Sequence, residues 1–375
     1  MFSYIHIPFC ERKCKYCRFA SLWSINRVLV HKYLCYLLND IKNFKRPVEN
    51  AGLLNSVYFW WGTPSILEIN QLSEILETLK NKFWFEENIE ITLESTPKNI
   101  TKENIISWGK LGINRLSMWI QTLNEVTLQE IKRDGKTIIL EALENIQSTF
   151  KNEEKIIENI SVDFIIWLPF VSCWETLKDI KYILENYDFI KHISVYMLED
   201  YYVENSDDSH FEKITYPNDW KHLWISEDKY GQEYTQIKKY LETKGFFRYE
   251  LSNFAKTGYE CKHNKSYWNH SENVGFWLWS HSYIWGERYA YKDDFLWYYK
   301  WELEYIETLS KEDIFLEKIM FWLRTSGLTK DLYEKLKKEK IETYLKSWLL
   351  EKKDEIISMS ETGVSLLDAI ILELI

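Results

Sequence analysis

Three cysteines crowd into eight residues near the start of this chain, in the run Cys10-Glu11-Arg12-Lys13-Cys14-Lys15-Tyr16-Cys17. A Cys-x3-Cys-x2-Cys loop directly after an apolar, strand-like run can wrap one corner of a cubane [4Fe–4S] cluster with three thiolates. The fourth iron is then left without a protein ligand, free to chelate the amino and carboxylate groups of a small molecule. A structural zinc site is the rival reading. Zinc wants four ligands, and Cys35, Cys173 and Cys261 have no partner spacing. Three unrelated free cysteines are the bland alternative.

The segment Tyr4-Ile5-His6-Ile7-Pro8-Phe9-Cys10, followed by that triad, resembles the radical S-adenosylmethionine (SAM) enzymes related to oxygen-independent coproporphyrinogen III oxidase. The likeness extends over nearly the whole chain. It implies a [4Fe–4S] cluster on Cys10, Cys14 and Cys17 whose open iron binds SAM, passes in an electron and releases a 5′-deoxyadenosyl radical. Trp61-Gly62-Thr63-Pro64-Ser65 is similar to the family's Gly-Gly-Gly-Thr-Pro loop, which implies that Trp61, Gly62 and Thr63 hold the SAM amino group. Glu94, in Glu94-Ser95-Thr96-Pro97, matches an acidic residue that contacts the ribose. Gln121, Arg133 and Asp163 match three further SAM-contacting positions, and Tyr4 and Tyr16 match neighbours of the adenosyl group. Taken singly, an acidic residue after a strand is more often a helix N-cap than a ligand. Their joint arrangement around a cluster loop is what lifts them.

Two features separate the branches of that family. The oxidase carries a fourth cysteine two residues after the triad and a long segment ahead of the first strand. Here that position is Phe19, and the strand begins at Tyr4. His263-Asn264-Lys265-Ser266-Tyr267-Trp268 resembles the His-Asn-x-x-Tyr-Trp signature of the haem chaperone branch, HemW. The resemblance implies haem as cargo, delivery to haem-accepting proteins and no oxidase activity. An electron donor such as a flavodoxin or ferredoxin is implied as a partner, and a peripheral membrane acceptor is a further one. His263 is the candidate haem ligand, set against a packed, hydrogen-bonded histidine; His281 is a second candidate. The stretch Tyr249-Glu250-Leu251-Ser252-Asn253-Phe254-Ala255 also resembles the family and is expected to shape the same pocket. Two rivals stay open: a coproporphyrinogen III dehydrogenase, and a degenerate scaffold that binds neither SAM nor haem.

The elements that must position these residues are legible as periodicity. Residues 4–8, 56–59, 89–93, 115–120, 161–168 and 192–197 read as buried strands. Between the earlier ones, residues 28–41, 69–79 and 102–111 have helical apolar spacing. Strands alternating with helices imply right-handed βαβ units and a parallel sheet, with chemistry at the strands' C-terminal ends. The fold class expected is α/β, a partial (β/α)6-type radical SAM barrel with a small, mostly helical C-terminal domain. Three segments are expected: a radical SAM core over 1–235, a connecting segment with the His-Asn-x-x-Tyr-Trp motif over 236–299, and a helical domain over 300–375. Within the last, residues 301–309, 312–323, 332–340 and 344–352 look helical.

A net charge of −10 argues against nucleic-acid binding, which needs a basic surface. The N-terminus lacks a basic stretch leading into a long apolar run, and the apolar runs are too short to span a bilayer. With cysteines clustered as for a metal, a cytoplasmic location is expected.

Glycine and tryptophan are out of proportion. Average usage would supply roughly 26 glycines; the chain has 12, and 18 tryptophans. At Trp60, Trp61, Trp119, Trp167, Trp277, Trp279, Trp285 and Trp322 the family pattern has glycine, whereas Trp268 is tryptophan in the pattern too. The codon UGA is glycine in some bacteria and tryptophan in other codes, so reading with the wrong table explains both counts. A loop that approaches a ligand closely or takes positive φ suits glycine, not a bulky side chain. The literal sequence should therefore show strained or splayed loops at Trp60, Trp61, Trp277 and Trp279.

Overall fold

The computed structural model of the chain describes residues 1–17, 21–22, 26–45, 53–151, 157–198, 227–292, 303–364 and 366–375. Phe19 lies outside them. All six expected strands form: β1 Phe2–His6, β2 Leu53–Trp60, β3 Trp84–Ser95, β4 Arg115–Gln121, β5 Asn159–Ile166 and β6 Ile190–Met197. They pair in parallel and in chain order. Their central residues are buried on both faces, the outward side chains apolar under the helices and the inward ones including polar groups such as Ser56, Thr92, Ser117 and Asp163. The first three covering helices fall where the periodicity put them: α1 Arg27–Asn43, α2 Ile69–Lys82 and α3 Lys102–Lys110. Asn26 caps α1 by accepting from the Val28 amide, and Thr101 caps α3 by accepting from that of Asn104. Three more complete the layer: α4 Glu125–Glu130, α5 Lys136–Lys151 and α6 Glu175–Asn186.

The core lies between sheet and helices. Strand residues such as Ile5, Val57, Leu93, Leu116 and Val162 meet Leu34, Leu72, Ile105, Leu143 and Ile183 from the helices. Each fully buried aliphatic side chain there contributes about 1.5–3 kcal/mol.

The sheet continues past both ends of this unit. After α7 Glu227–Thr243, which runs across residue 235, come β7 Phe247–Arg248 and β8 Asn253–Ala255; β8 pairs antiparallel to β6. Then α8 Lys262–Trp268 leads to β9 Asn273–Phe276, parallel to β1 on the side opposite β2. Next come β10 His281–Ile284, β11 Glu287–Tyr291 and β12 Leu303–Thr308, giving the order β12-β11-β10-β9-β1-β2-β3-β4-β5-β6-β8-β7.

Residues 301–309 were expected to be helical. Where described, they form strand β12, antiparallel to β11. Tyr305, Ile306 and Thr308 suit an edge strand, and the interspersed glutamates imitate helical spacing without setting it. Beyond it come α9 Lys311–Leu323, α10 Lys330–Tyr333, α11 Lys338–Lys346, the hairpin β13 Leu350–Lys353 and β14 Ile356–Met359, α12 Glu361–Val364 and α13 Leu367–Leu374. The helix expected over 344–352 thus stops at Lys346, and that over 332–340 is split between α10 and α11. Ile319, Leu323, Ile341, Leu350, Ile370 and Leu374 close a separate apolar cluster here.

Candidate functional site

The loop after β1 carries the three cysteines across the C-terminal ends of the parallel strands. A bridge between Phe9 and Leu22 steadies its root: the Cys10 amide donates to the Leu22 carbonyl at 2.8 Å and Leu22 to Pro8 at 2.6 Å. Farther along, Lys15 donates to the Ile131 carbonyl at 3.2 Å, and Arg12 and Lys15 pair with Asp134 and Glu130. None of the three cysteines is in a disulfide, and all three line one cavity of about 590 Å3. The Thr63 hydroxyl lies 3.6 Å from the Cys10 sulfur, and Arg133 Nη1 lies 3.6 Å from that of Cys14. Donors and a cation placed at sulfur favour the thiolate that binds metal. Burial works the other way on Cys10, pushing its thiol up to about 12, with the Thr63 bond partly offsetting it. Among the described residues no three His, Cys, Asp or Glu side chains gather closely enough to hold a single metal ion. A cubane differs in giving each thiolate an iron of its own, so this donor set suits the cluster.

Each next strand end delivers another residue to the same cavity. The end of β2 and the turn after it supply Trp60, Trp61, Gly62 and Thr63; β3 carries Glu94 one residue from its end, β4 ends with Gln121, and β5 carries Asp163. Arg133 and Tyr16 complete the predicted set lining it. A Cβ on Gly62 would stand 2.1 Å from the Ile7 carbonyl oxygen, so this turn packs directly on the backbone that precedes Cys10. The Tyr58 hydroxyl donates to Glu94 Oε1 at 3.1 Å. Burial, with the Asp163 charge adding to it, pushes the Glu94 carboxyl well above its ordinary range. Glu94 Oε2 and Gln121 Oε1 are buried without a hydrogen-bond partner among the described residues. Two orphaned acceptors in the cavity wall are suited to a ligand that brings hydroxyl or ammonium donors. Gln121 also holds a φ of 69°, at the bulge where β4 leaves register with β5. Strain of that kind gathers at ligand sites.

Tyr4 is placed differently from the rest. It is buried, its hydroxyl 2.7 Å from His6 Nδ1 and its ring edge-on to Trp60, and it is outside the cavity wall. His263 is fully buried, with Nδ1 2.8 Å from the Ser56 hydroxyl and Nε2 2.9 Å from that of Tyr267. Burial, aided by the Arg115 charge, pushes its imidazole down to about 3. Its neighbours Asn264, Tyr267 and Trp268 do line the cavity, beside Glu250, Tyr196 and Met197. His281 stands on β10, outside the cavity wall, with Nδ1 3.1 Å from the Tyr305 hydroxyl.

Sequence reasoning missed the floor below the site. Arg115 opens β4 and is buried, with Nε and Nη1 unbonded among the described residues, its guanidinium 5.9 Å over the Tyr58 ring. Its one signal was an arginine at the head of an apolar run.

The Radical SAM superfamily sequence profile matches residues 4–183. The heme chaperone HemW of Buchnera aphidicola subsp. Acyrthosiphon pisum is 31% identical over 281 residues, which cover 75% of this chain and 69% of that relative. HemW of Bacillus subtilis is 30% identical, over 76% of this chain and 72% of its own length. The crystallised coproporphyrinogen III oxidase of Escherichia coli superposes with a TM-score of 0.76 over 99% of this chain and 89% of the enzyme. At 17% identity that likeness speaks for the fold alone.

Proposed function

This chain belongs to the radical SAM superfamily and, within it, to the heme chaperone HemW family, and on that premise we propose that it binds haem and hands it to haem-accepting proteins. One observation carries the reading: the cysteine triad, the orphaned acceptors of Glu94 and Gln121, and the Asn264, Tyr267 and Trp268 side chains share one cavity. Cys10, Cys14 and Cys17 would hold the [4Fe–4S] cluster, and Tyr16, Trp61, Gly62, Thr63, Glu94, Gln121, Arg133 and Asp163 would surround SAM. When bound, the pair supplies one-electron reductive chemistry. The chain's own part is positioning. Arg133 and Thr63 balance charge at sulfur, and Tyr58 fixes one oxygen of Glu94 and leaves the other without a bond. His263 orients Tyr267 in the arrangement seen; direct contact with haem iron requires release of its Ser56 or Tyr267 bond.

A flavodoxin or ferredoxin is the proposed electron donor, supported by Arg12, Lys13 and Lys15 within the cluster loop. The cytoplasm is the proposed compartment, supported by six cysteines of which none is in a disulfide, and a peripheral membrane protein is a proposed acceptor. Among the described residues no helix is long and apolar enough to cross a membrane. Haem titration of the anaerobically reconstituted protein is the test. Stoichiometric binding without coproporphyrinogen consumption is expected, whereas turnover without haem binding overturns the proposal. His263→Ala binding haem as well as the parent removes that residue as a ligand.

A further inference from the structure

Among the described residues, twelve other than glycine have positive φ, and seven of the twelve are tryptophan: Trp61, Trp167, Trp174, Trp277, Trp279, Trp285 and Trp348, at 54–90°. Tryptophan is 18 of 375 residues, so in proportion it would fill fewer than one of those places. Left-handed backbone is open to glycine, less so to Asn, Asp and His, and is an outlier for a bulky side chain.

Local geometry says the same at individual sites. Trp285 and Gly286 form the two-residue loop between β10 and β11, with φ of 54° and 80°. A hairpin turn of that kind needs positive φ at both places, hence its preference for Asn-Gly and Gly-Gly. Helix α11 ends with the Trp348 amide donating to the Leu345 carbonyl at 3.3 Å and the Leu349 amide to that of Tyr344 at 3.0 Å. The same pair of bonds closes α3 at Gly112, to Gly109 and Trp108, and α7 at Gly245, to Glu242 and Leu241. This is the Schellman cap, whose left-handed residue is usually glycine. Lys132 and His270 close α4 and α8 in the same way, so one side chain there is tolerable. Seven tryptophans are a pattern. Burial does not compensate at the surface either: Trp348 is 81% exposed and Trp285 52%.

We infer that the functional polypeptide carries glycine at positions 61, 167, 174, 277, 279, 285 and 348, its host reading as glycine the codons rendered here as tryptophan. Five of these coincide with the positions where the family pattern has glycine. Positions 174 and 348 are marked by backbone alone. Trp60, Trp119 and Trp322 have no positive φ and rest on the family pattern. Trp108, buried in α3 at ordinary φ, stays tryptophan. The assignment stands whether or not haem is the cargo. It also alters the site, because the Trp61 indole, stacked between Trp60 and His6 in the cavity wall, is replaced by open space.

Peptide mass spectrometry of the protein from its native host, covering residues 56–65, 165–176, 274–286 and 344–350 with the Trp108 peptide as control, is the test. Glycine at the seven positions and tryptophan at 108 is expected; tryptophan at the seven overturns the assignment. The physical basis is tested separately by melting the literal chain against its Trp348→Gly and Trp285→Gly variants. Each exposed variant should melt about 1 °C or more above the parent, because relief of left-handed strain outweighs the added freedom of the unfolded chain. Failure of both to rise overturns the strain argument.

Discussion

Gly62→Ala should unseat the cluster loop. At φ +47° alanine bears a left-handed penalty of about 1 kcal/mol. The larger effect is contact, since the new Cβ would lie 2.1 Å from the Ile7 carbonyl oxygen and 2.9 Å from that of Phe9. Clearing them requires a backbone displacement of about 1 Å, with two hydrogen bonds in the way: Thr63 amide to Phe9 carbonyl at 2.7 Å and Ile7 amide to Trp60 carbonyl at 3.1 Å. Losing those at about 1 kcal/mol each brings the cost to about 3 kcal/mol, or a melting temperature lower by about 4 °C. Gly258→Ala is the control. Its φ is +87° and a Cβ there meets nothing within 4 Å, so it carries backbone strain alone, about 1–2 kcal/mol. Differential scanning calorimetry and iron content after anaerobic reconstitution read both effects. Equal melting temperatures and equal iron in the two variants would refute the packing of the turn against residues 7–9.

Cys10→Ser, Cys14→Ser and Cys17→Ser should each lose most of the iron and sulfide bound on reconstitution, while Cys35→Ser, at an exposed thiol, should retain it; full iron in any triad variant removes that residue from the cluster. Acid stability carries the signature of His263. Its folded-state pKa, pushed down to about 3, lies below the unfolded value of about 6.5, so the folded protein keeps it neutral where the unfolded chain takes up a proton. The stability it contributes is complete above pH 6.5 and drains away as pH falls toward 3. His263→Gln should flatten that limb of a denaturation profile by up to about 5 kcal/mol. Burial also pushes His192 down, so part of the slope survives; an unchanged limb would mean that His263 is solvated.

The legible parts of the molecule are those where one physical requirement dominates. Strands β1 to β6 are buried on both faces, so their apolar runs announce them. Strands β9 to β12 lie toward or at one edge, are four to six residues long and carry polar side chains, and in β12 the glutamates copied a helix. The triad and the cavity residues were legible because spacing along the chain is also spacing around the strand ends. Which way a side chain faces was not. His263 and Tyr267 lie one turn apart in α8, yet the histidine turns into the core and the tyrosine to the cavity, a division set by Ser56 from a strand some two hundred residues earlier. Tyr4 shares the inner face of β1 with His6 and packs edge-on to Trp60, behind the cavity wall and not in it. Arg115 heads an apolar run and is an interior cation, its guanidinium over the Tyr58 ring.

Strand β1 runs straight into Cys10, and its two neighbours come from opposite ends of the chain: Phe2 pairs with Ser56 in β2 and with Asn273 in β9. Contacts spanning that much sequence form late and slowly. During synthesis the cysteine loop therefore hangs from a strand with one edge bare until residue 276 has emerged, and a bare edge invites wrong pairing. Metal loading is then expected only once residue 276 has emerged and β9 has paired. A carrier that delivers iron and sulfide to this protein would have to recognise the finished sheet rather than the nascent cysteine peptide.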